Sequence, residues 1–237
     1  MAPQPDMIRP EDIATQALLD SLTELSARAA HDLVGPVNQA GALLALFVKR
    51  YRGRLDPDAD QLLEFLESAS ARMEGVTAGV RRYMEIASRP PSFGPVDLDA
   101  ALASALVRLQ RPIAESAAVI ASDPLRMVTA DAGHMTTIFE ILIDNSIKFR
   151  RSDAPPCIQI SLKPPAEIAI TDNGIGIDAE HSETVFLPFK RLNGRQYAGA
   201  GLGLASAKLI AGMHGGEIRI GDQTPHGTQV RFTVRAL

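Results

Sequence analysis

The first third of the chain carries an apolar stripe at helical spacing, and this stripe limits how the segment can fold. Between Ile13 and Tyr51 the only interior proline is Pro36. Apolar residues recur there at intervals of three and four, which is the spacing of one face of an α-helix. The stripe consists of Leu18, Leu22, Leu25, Ala29, Leu33, Pro36, Ala40, Leu43 and Phe47. The pattern predicts one long helix with a single apolar face.

A helix break and a second helix follow. Gly53 suits the end of the first helix, Asp56 is a candidate N-cap, and Pro57 suits the first helical position. The next apolar residues are spaced four and three apart, as in a heptad repeat. They are Leu62, Leu66, Ala69, Met73, Val76 and Val80.

Two antiparallel helices with one apolar stripe each cannot bury both stripes within one hairpin. The simplest remedy is a homodimer in which two hairpins form a four-helix bundle. Packing of the stripes against the rest of the same chain is the alternative.

The residues after the hairpin predict a second domain. The proline- and glycine-rich segment RPPSFGP, residues 89–95, marks a boundary. The sequence therefore predicts a helical hairpin over residues 1–92 and a second domain over residues 93–237.

Strands and helices mix in this second domain. Four segments alternate apolar and polar residues, as strands with one buried face do. These segments are CIQISL (157–162), EIAITD (167–172), GEIRI (216–220) and QVRFTV (229–234). Helices are predicted from Asp131 to Phe149 and from Leu202 to Met213. The fold class is therefore α+β, with a mixed, largely antiparallel sheet that carries helices on one face in an α/β sandwich.

Composition excludes several classes of protein. The chain has 237 residues, of which 46% are hydrophobic and 22% charged, and this balance is typical of a globular protein. Its best apolar run, residues 40–48, is far shorter than the roughly 18 residues of a membrane-spanning helix. The opening MAPQPDMIRP lacks the apolar core of a signal peptide.

Cysteine content and charge narrow the choice further. The single cysteine, Cys157, excludes an internal disulfide and a cysteine-rich metal site, which fits a reducing cytoplasm. A net charge of −4 gives no general attraction to nucleic acid or anionic lipid. We therefore expect a cytoplasmic protein with no nucleic-acid partner and no membrane segment.

Two clusters in the second domain carry polar groups suited to a nucleotide. In ILIDNSIKF, Asn145 and Lys148 lie three residues apart on one helix face and are followed by Phe149. An amide oxygen can bind magnesium and an ammonium can neutralise a phosphate. In DNGIGI, Asp172 can accept a hydrogen bond from an amino group, and its glycines let the backbone approach a flat ligand.

Two further clusters lie later in the chain. VFLPF, residues 185–189, leads into the basic stretch KRLNGR, and GAGLGLA, residues 199–205, feeds directly into a helix. Glycine-rich loops before helix N-termini bind phosphates, because N–H groups and the helix dipole face the anion. Lys190, Arg191 and Arg195 either contact phosphates or form a solvated basic loop.

The order and spacing of these four clusters resemble the ATP-binding domain of sensor histidine kinases, within the superfamily that includes gyrase and the Hsp90 chaperones. The resemblance covers roughly Val96 to Leu237. It extends to HGG, residues 214–216, and to Gly227 and Thr228 before the final strand.

The resemblance also accounts for the first third of the chain. Histidine kinases carry their phosphoacceptor in a dimerising helical hairpin, with a signature of histidine, an acidic residue, an aliphatic residue, two more positions and proline. HDLVGP, residues 31–36, is similar to this signature. His31 lies off the apolar stripe, so its imidazole should reach solvent, and Asp32 can orient the ring and accept its proton.

An ATP-dependent histidine autokinase with a Bergerat-type nucleotide domain is what the resemblance implies. His31 would attack the γ-phosphate of ATP and the phosphoryl group would pass to an aspartate of a response-regulator receiver domain. Magnesium would bind Asn145, and residues 189–199 would form a lid. The implied ATP contacts are Asn145, Lys148, Phe149, Asp172, Gly174, Gly176, Ile177, Phe189, Lys190, Arg191, Gly199, Gly201, Leu202, Gly203, Leu204 and Thr228.

The chain departs from the family pattern at several positions. Ile141 stands where the family usually has another asparagine, which predicts slower ATP turnover, and Val34 stands where it usually has arginine or lysine. Gly35 has no side chain to position water, so we expect no dephosphorylation of the regulator by that route. The pair Gly35–Pro36 predicts a helix kink just after His31.

Two other functions remain open. One is a dimeric histidine phosphotransferase, or pseudokinase scaffold of a phosphorelay, with a vestigial ATP domain. The other is an ATPase or serine kinase of the same superfamily with a merely structural hairpin. Few residues precede His31, so the chain is either a kinase fragment or a protein that receives its input from a separate sensor protein.

Overall fold

The computed structural model describes residues 32–163, 166–192, 197, 199–221 and 227–234. The chain divides into two compact units, Met1–Ser88 and Arg89–Leu237. Among the residues described, no helix combines the length and apolar character that crossing a membrane requires.

The first unit is a helical hairpin. Helix α1 covers residues 32–51, and the part of the predicted helix from Ile13 to His31 lies outside the described residues. Gly53 adopts a φ of 72°, the left-handed conformation that ends helices. Helix α2 (Pro57–Ser88) begins where Asp56 Oδ1 accepts a hydrogen bond from the Ala59 N–H at 2.8 Å. The predicted break, N-cap and first helical residue are confirmed.

Small residues line the contact between the two helices of the hairpin. A Cβ added at Gly41 would overlap the Glu74 carboxylate and lie 3.1 Å from Ser70 Oγ. Glycine therefore permits the close approach of α1 and α2 at this point. Val48, Leu63 and Ile86 are buried, but nine other large apolar side chains in the described part of the two helices stay exposed, with 41% to 64% of their surface accessible. They are Leu33, Leu43, Leu46, Phe47, Leu62, Phe65, Leu66, Met73 and Val76.

A five-stranded sheet forms the centre of the second unit. Its strands, in spatial order, are β2 (Val119–Ser122), β4 (Cys157–Lys163), β5 (Glu167–Asp172), β7 (Gln229–Thr233) and β6 (Ile218–Ile220). Only β2 and β4 pair in parallel. Ile160 lies opposite Ile170, which lies opposite Val230, so alternate residues form one buried apolar row.

Helices cover this row. They are α3 (Leu98–Arg108), α4 (Gln110–Ser116), α5 (Ala132–Lys148) and α6 (Gly203–Met213). The ring of Phe139 on α5 meets that of Phe232 on β7 edge to face at 6.0 Å. A separate two-stranded ribbon pairs β1 (Gly94–Asp97) with β3 (Met127–Ala130). The structure confirms the α+β fold class, the four predicted strands and both predicted helices, and it adds β1 to β3, α3 and α4.

Asp131 joins three parts of the second unit from a buried position. Its carboxylate accepts hydrogen bonds from the N–H groups of His134, as the N-cap of α5, at 3.0 Å and of Ser92 at 2.8 Å. Its own N–H donates to His214 Nε2 at 3.0 Å. Because that nitrogen accepts, the proton sits on His214 Nδ1, which donates to the Ile210 carbonyl at 2.8 Å.

These contacts also set the charge of Asp131. Burial alone would raise the pKa of this carboxyl, but the hydrogen bonds from Ser92 and His134 outweigh it and hold the pKa below its ordinary value of 3.8. The ionised carboxylate therefore stabilises the fold.

We expect Asp131→Ala to lower the free energy of unfolding by about 2 to 4 kcal/mol, because it removes a helix cap and leaves the Ser92 N–H unsatisfied. Urea denaturation monitored by circular dichroism would measure this. The pKa of Asp131 is lower in the folded protein than in the unfolded chain. The difference in free energy of unfolding between variant and wild type should therefore be complete above about pH 4 and shrink as the pH falls through the folded pKa.

The matched control for this experiment is Asp178→Ala. Asp178 is exposed and precedes the short 3-10 helix Ala179–His181 without a side-chain capping hydrogen bond. Equal urea midpoints for the two variants would contradict the role given to Asp131.

Candidate functional site

Four segments of the second unit converge on one site. They are the last two turns of α5, the loop that follows β5, the turn before β7 and the glycine-rich segment before α6. Each of these segments was predicted to carry functional residues, and contacts among the segments bring those residues together.

Asp172 is a half-buried acceptor at the end of β5. Its Oδ1 accepts hydrogen bonds from the N–H groups of Gly174 at 2.9 Å and Thr228 at 3.0 Å. Its Oδ2 accepts one from the Ser146 hydroxyl at 3.0 Å. Burial raises the pKa of this carboxyl above 3.8, and the three hydrogen bonds oppose that rise. A carboxylate has about four acceptor positions, so one stays open on Oδ2.

Glycines permit the main chain to close around Asp172. A Cβ added at Gly174 would lie 2.6 Å from the Phe149 carbonyl oxygen, and one at Gly227 would overlap the Asp172 carbonyl. Gly176 and Gly227 also have φ values of 82° and 96°, which favour glycine. The Ile175 N–H donates to the Phe149 carbonyl at 3.0 Å, which ties the loop to the end of α5.

The glycine-rich segment passes directly over Asn145 and Lys148. A Cβ added at Gly203 would lie 3.7 Å from Asn145 Nδ2 and 3.8 Å from Oδ1. One added at Gly199 would lie 2.7 Å from Lys148 Nζ. The two α5 side chains therefore face the backbone that leads into α6.

Lys148 is only partly solvated. Burial lowers the pKa of its ammonium, and the nearby Arg191 lowers it further, while Asp144 raises it. Lys148 Nζ also lies 4.9 Å from the centroid of the Phe149 ring. A poorly solvated cation of this kind gains from a bound anion.

The basic stretch after VFLPF packs against the same glycines. A Cβ added at Gly201 would lie 2.7 Å from the Lys190 carbonyl oxygen and 2.9 Å from the Phe189 carbonyl carbon. Arg191 donates to the Tyr197 carbonyl at 2.6 Å, and the Tyr197 ring packs against that of Phe149, with centroids 4.9 Å apart and planes tilted by 53°. Phe189, Lys190 and Arg191 are themselves exposed.

The remaining candidate residues are more scattered. Leu202 is buried, while Ile177 and Leu204 are half-buried. Asp32 is exposed at the first described turn of α1. His31, Arg195 and the central lid residues 193–196 and 198 lie outside the described residues.

Four residues in this site were not predicted as contacts. Ser146 binds Asp172, Tyr197 packs at a tilt against Phe149, and Gly227 permits the close turn before β7. Asn173 accepts from the Cys157 N–H at 2.8 Å and donates to the Pro155 carbonyl at 3.0 Å. Gly227 was part of the resemblance, whereas the other three lie within segments that the sequence singled out but had no contact assigned to them.

The residues fit a nucleoside polyphosphate. An acceptor for an amino group lies at one end and Lys148 at the other, beside the start of α6, whose N-cap Leu202 makes no side-chain capping hydrogen bond. In the part of the chain that the structure describes, no group of three or more His, Cys, Asp or Glu side chains could hold a metal. The Asn145 amide oxygen is of the ligand type that magnesium takes, beside phosphate and water oxygens.

Sequence comparisons agree with this geometry. The family described as histidine kinase-, DNA gyrase B- and HSP90-like ATPase matches residues 130–237. Cyanobacterial phytochrome A of Nostoc sp. (strain PCC 7120) is 36% identical over 210 residues, which cover 87% of this chain and 27% of the relative. The sensor-like histidine kinase SenX3 of Mycolicibacterium smegmatis is 30% identical over 221 residues, which cover 88% of this chain and 55% of the relative.

Solved structures share the fold. Full-length ShkA in complex with AMPPNP has a TM-score of 0.63 at 19% identity, covering 90% of this chain and 47% of that one. The histidine kinase ThkA in complex with the response regulator protein TrrA has a TM-score of 0.60 at 19% identity. The match covers 98% of this chain and 68% of that one. The chain thus spans 27% and 55% of the two curated relatives.

Gly227→Ala should weaken ADP binding at least tenfold, because the added methyl group meets the Asp172 carbonyl and the residue has a positive φ. Isothermal titration calorimetry with ADP and magnesium would measure the change. Gly212→Ala is the matched control, since nothing lies within 4 Å of the added Cβ in α6. Unchanged binding by Gly227→Ala would contradict the close packing around Asp172.

Proposed function

Since this chain belongs to the histidine kinase family, with an ATP-binding domain of the type shared with gyrase B and HSP90, we propose that it is an ATP-dependent histidine autokinase. The phosphoacceptor is His31, and the phosphoryl group then passes to an aspartate of a response regulator. The observation that supports the proposal most directly is the juxtaposition of Asn145 and Lys148 with the glycine-rich segment, in the same unit as the open acceptor of Asp172.

Each residue of the site has a role in this proposal. Asp172 accepts a hydrogen bond from the adenine amino group and orients the base. Lys148 and Arg191 offset the phosphate charge, and the Asn145 amide oxygen holds magnesium, which neutralises charge on the phosphates. Gly199 and Gly203 permit close approach of the backbone.

His31 supplies the nucleophile. Its unprotonated ring nitrogen forms a bond to the γ-phosphorus of ATP as the bond to the bridging oxygen breaks and ADP leaves. Asp32 orients the imidazole and accepts the ring proton. The exposed position of Asp32 at the start of the described helix is consistent with access for a phosphate donor.

Transfer to a response regulator is supported by a structural relative. ThkA, which shares the fold over 98% of this chain, has been solved in complex with the response regulator protein TrrA. We propose a receiver domain of that kind as the second partner of this chain. The single cysteine supports a location in the reducing cytoplasm.

The hairpin supports a homodimer. Nine large apolar side chains in the described part of the hairpin are exposed, and several of them belong to the heptad-spaced stripes of α1 and α2. Association of two hairpins into a four-helix bundle would bury both stripes. Val48, Leu63, Ser70 and Ile86 are buried already, whereas the nine exposed side chains are not covered.

Ile141 favours a second candidate, a phosphotransferase with weak or no ATP turnover. Its side chain is 5% exposed, and its Cγ2 would lie 3.5 Å from a Cβ added at Gly203. An apolar group therefore lies beside the metal-binding amide proposed at Asn145. The autokinase is preferred because Asn145, Lys148 and Asp172 all remain in place.

Wild-type protein incubated with magnesium and γ-labelled ATP should acquire label that survives alkali and is lost in acid. His31→Gln should lose the label because it lacks the acceptor. Asn145→Ala, or removal of magnesium with a chelator, should reduce labelling at least about 100-fold, because phosphate charge is no longer neutralised.

Three other outcomes decide between the alternatives. Label retained by His31→Gln would contradict the assignment of the acceptor. Wild-type protein that stays unlabelled, yet accepts phosphate from a phosphorylated receiver domain, would establish the phosphotransferase. Phosphoserine found by mass spectrometry would establish a serine kinase.

We expect Leu66→Glu to raise the dimer dissociation constant at least tenfold, because it would bury a charge from each subunit in the bundle. Sedimentation equilibrium would measure the constant. Val107→Glu is the control, since Val107 on α3 is 66% exposed and lies outside the hairpin. A monomeric wild-type protein would contradict the proposed assembly.

A further inference from the structure

We propose that Ser146 is a positioning residue for base recognition, whose hydroxyl holds the Asp172 carboxylate so that a single acceptor position remains for the amino group of the base. This inference rests on the proposed function in one respect, the adenine nucleotide as ligand. It assigns to Ser146 a role that neither the magnesium-binding asparagine nor the glycines supply.

The position of Ser146 permits this contact and little else. The residue lies on α5 with 5% of its surface exposed. Its Oγ is 3.0 Å from Asp172 Oδ2 and 3.1 Å from the Leu142 carbonyl oxygen, one turn back in the helix. A hydroxyl has one proton, and an ionised carboxylate is the stronger acceptor. Ser146 therefore donates to Asp172 whenever that carboxyl is ionised.

The contact completes a set of three donors on one carboxylate. Gly174 and Thr228 saturate Oδ1, and Ser146 takes one of the two positions on Oδ2. The position left open can accept one hydrogen bond from a ligand. Without Ser146, Oδ2 would have no donor from these three groups and the carboxylate could turn about its bond to Cβ.

Ser146 also helps to keep Asp172 ionised. The groups that face this carboxyl are the Ser146 hydroxyl from α5, the Gly174 N–H from the loop after β5 and the Thr228 N–H before β7. All three are uncharged donors, so hydrogen bonds offset the burial that raises the pKa of Asp172. Loss of one donor should raise that pKa further.

Charge at Asp172 determines which purine is accepted. An ionised carboxylate accepts from the 6-amino group of adenine and opposes the 6-keto oxygen of hypoxanthine, since both would be acceptors. A protonated carboxyl can instead donate to the keto oxygen. Ser146 thereby extends the preference for amino over keto purines towards lower pH.

The test compares wild type with Ser146→Ala. Dissociation constants for ADP and for inosine diphosphate would be measured by calorimetry with magnesium from about pH 5 to about pH 8. Alanine is a better helix former than serine, so α5 should be retained. We expect the ADP dissociation constant of the variant to be about tenfold higher than that of wild type. The midpoint of the pH dependence of ADP binding should lie about one pH unit higher in the variant.

The ratio of the two dissociation constants gives a second readout. As the pH is lowered, Ser146→Ala should lose its preference for ADP over inosine diphosphate at a higher pH than wild type does. Thr136→Val is the matched control, because Thr136 is also buried on α5 and its hydroxyl donates to the Ala132 carbonyl at 2.9 Å. A Ser146→Ala variant with the wild-type pH profile and purine preference would overturn the proposal.

Asp172→Asn tests whether Ser146 acts through the carboxylate. In that background, Ser146→Ala should change ADP affinity by less than about twofold, because the ionised acceptor is gone. An equal loss in both backgrounds would show that Ser146 acts by another route and would overturn its positioning role.

A titration of the free protein separates this inference from the proposed function. The pKa of Asp172, followed by the carbon-13 shift of its carboxyl in nucleotide-free protein, should be higher in Ser146→Ala than in wild type and Thr136→Val. Equal values would overturn the inference even if the kinase were active. A raised value would support the role of Ser146 even if His31 acquired no label.

Discussion

The closed backbone around Asp172 is the constraint on which the candidate site depends. Main-chain N–H groups from the loop after β5 and from the turn before β7 converge on one half-buried carboxylate. The Asp172 N–H in turn donates to the Thr228 carbonyl at 2.8 Å. Two neighbouring strands thus hold a polar group where its hydrogen bonds are stronger than they would be in water. Glycine at positions 174 and 227 leaves the space that this arrangement needs.

Much of the fold could be predicted from the sequence because its signals are local. Helix α5 was predicted from Asp131 to Phe149, and these two residues are the N-cap and C-cap of the observed helix. Strands β4, β6 and β7 alternate because one face is more buried than the other, whereas in the central strand β5 Ile168, Ala169 and Ile170 are all buried. Strands β1, β2 and β3 do not alternate apolar and polar residues, since they read GPVD, VIAS and MVTA, and β2 lies at the sheet edge, where three of its four residues are exposed.

The site was predictable to the extent that its residues follow one another along an element. Asn145 and Lys148 share a helix face, and the glycine-rich segment precedes α6 directly, so spacing alone placed them. Ser146 and Asp172 are 26 positions apart, and their contact depends on how α5 crosses the end of β5. The tilted ring contact between Tyr197 and Phe149 similarly joins residues 48 positions apart. Contacts of this kind come from tertiary packing and leave no periodic trace in the chain.

The hydrogen bond between Asp131 and the Ser92 N–H orders the beginning of the second unit. It ties the backbone at Ser92 to the N-terminus of α5 within that unit. Arg89, Pro90 and Pro91 lead into this point. Proline rings fix φ at positions 90 and 91, so these residues have fewer conformations to lose when the segment is held in place. The proline pair therefore lowers the entropic cost of ordering the backbone at this boundary.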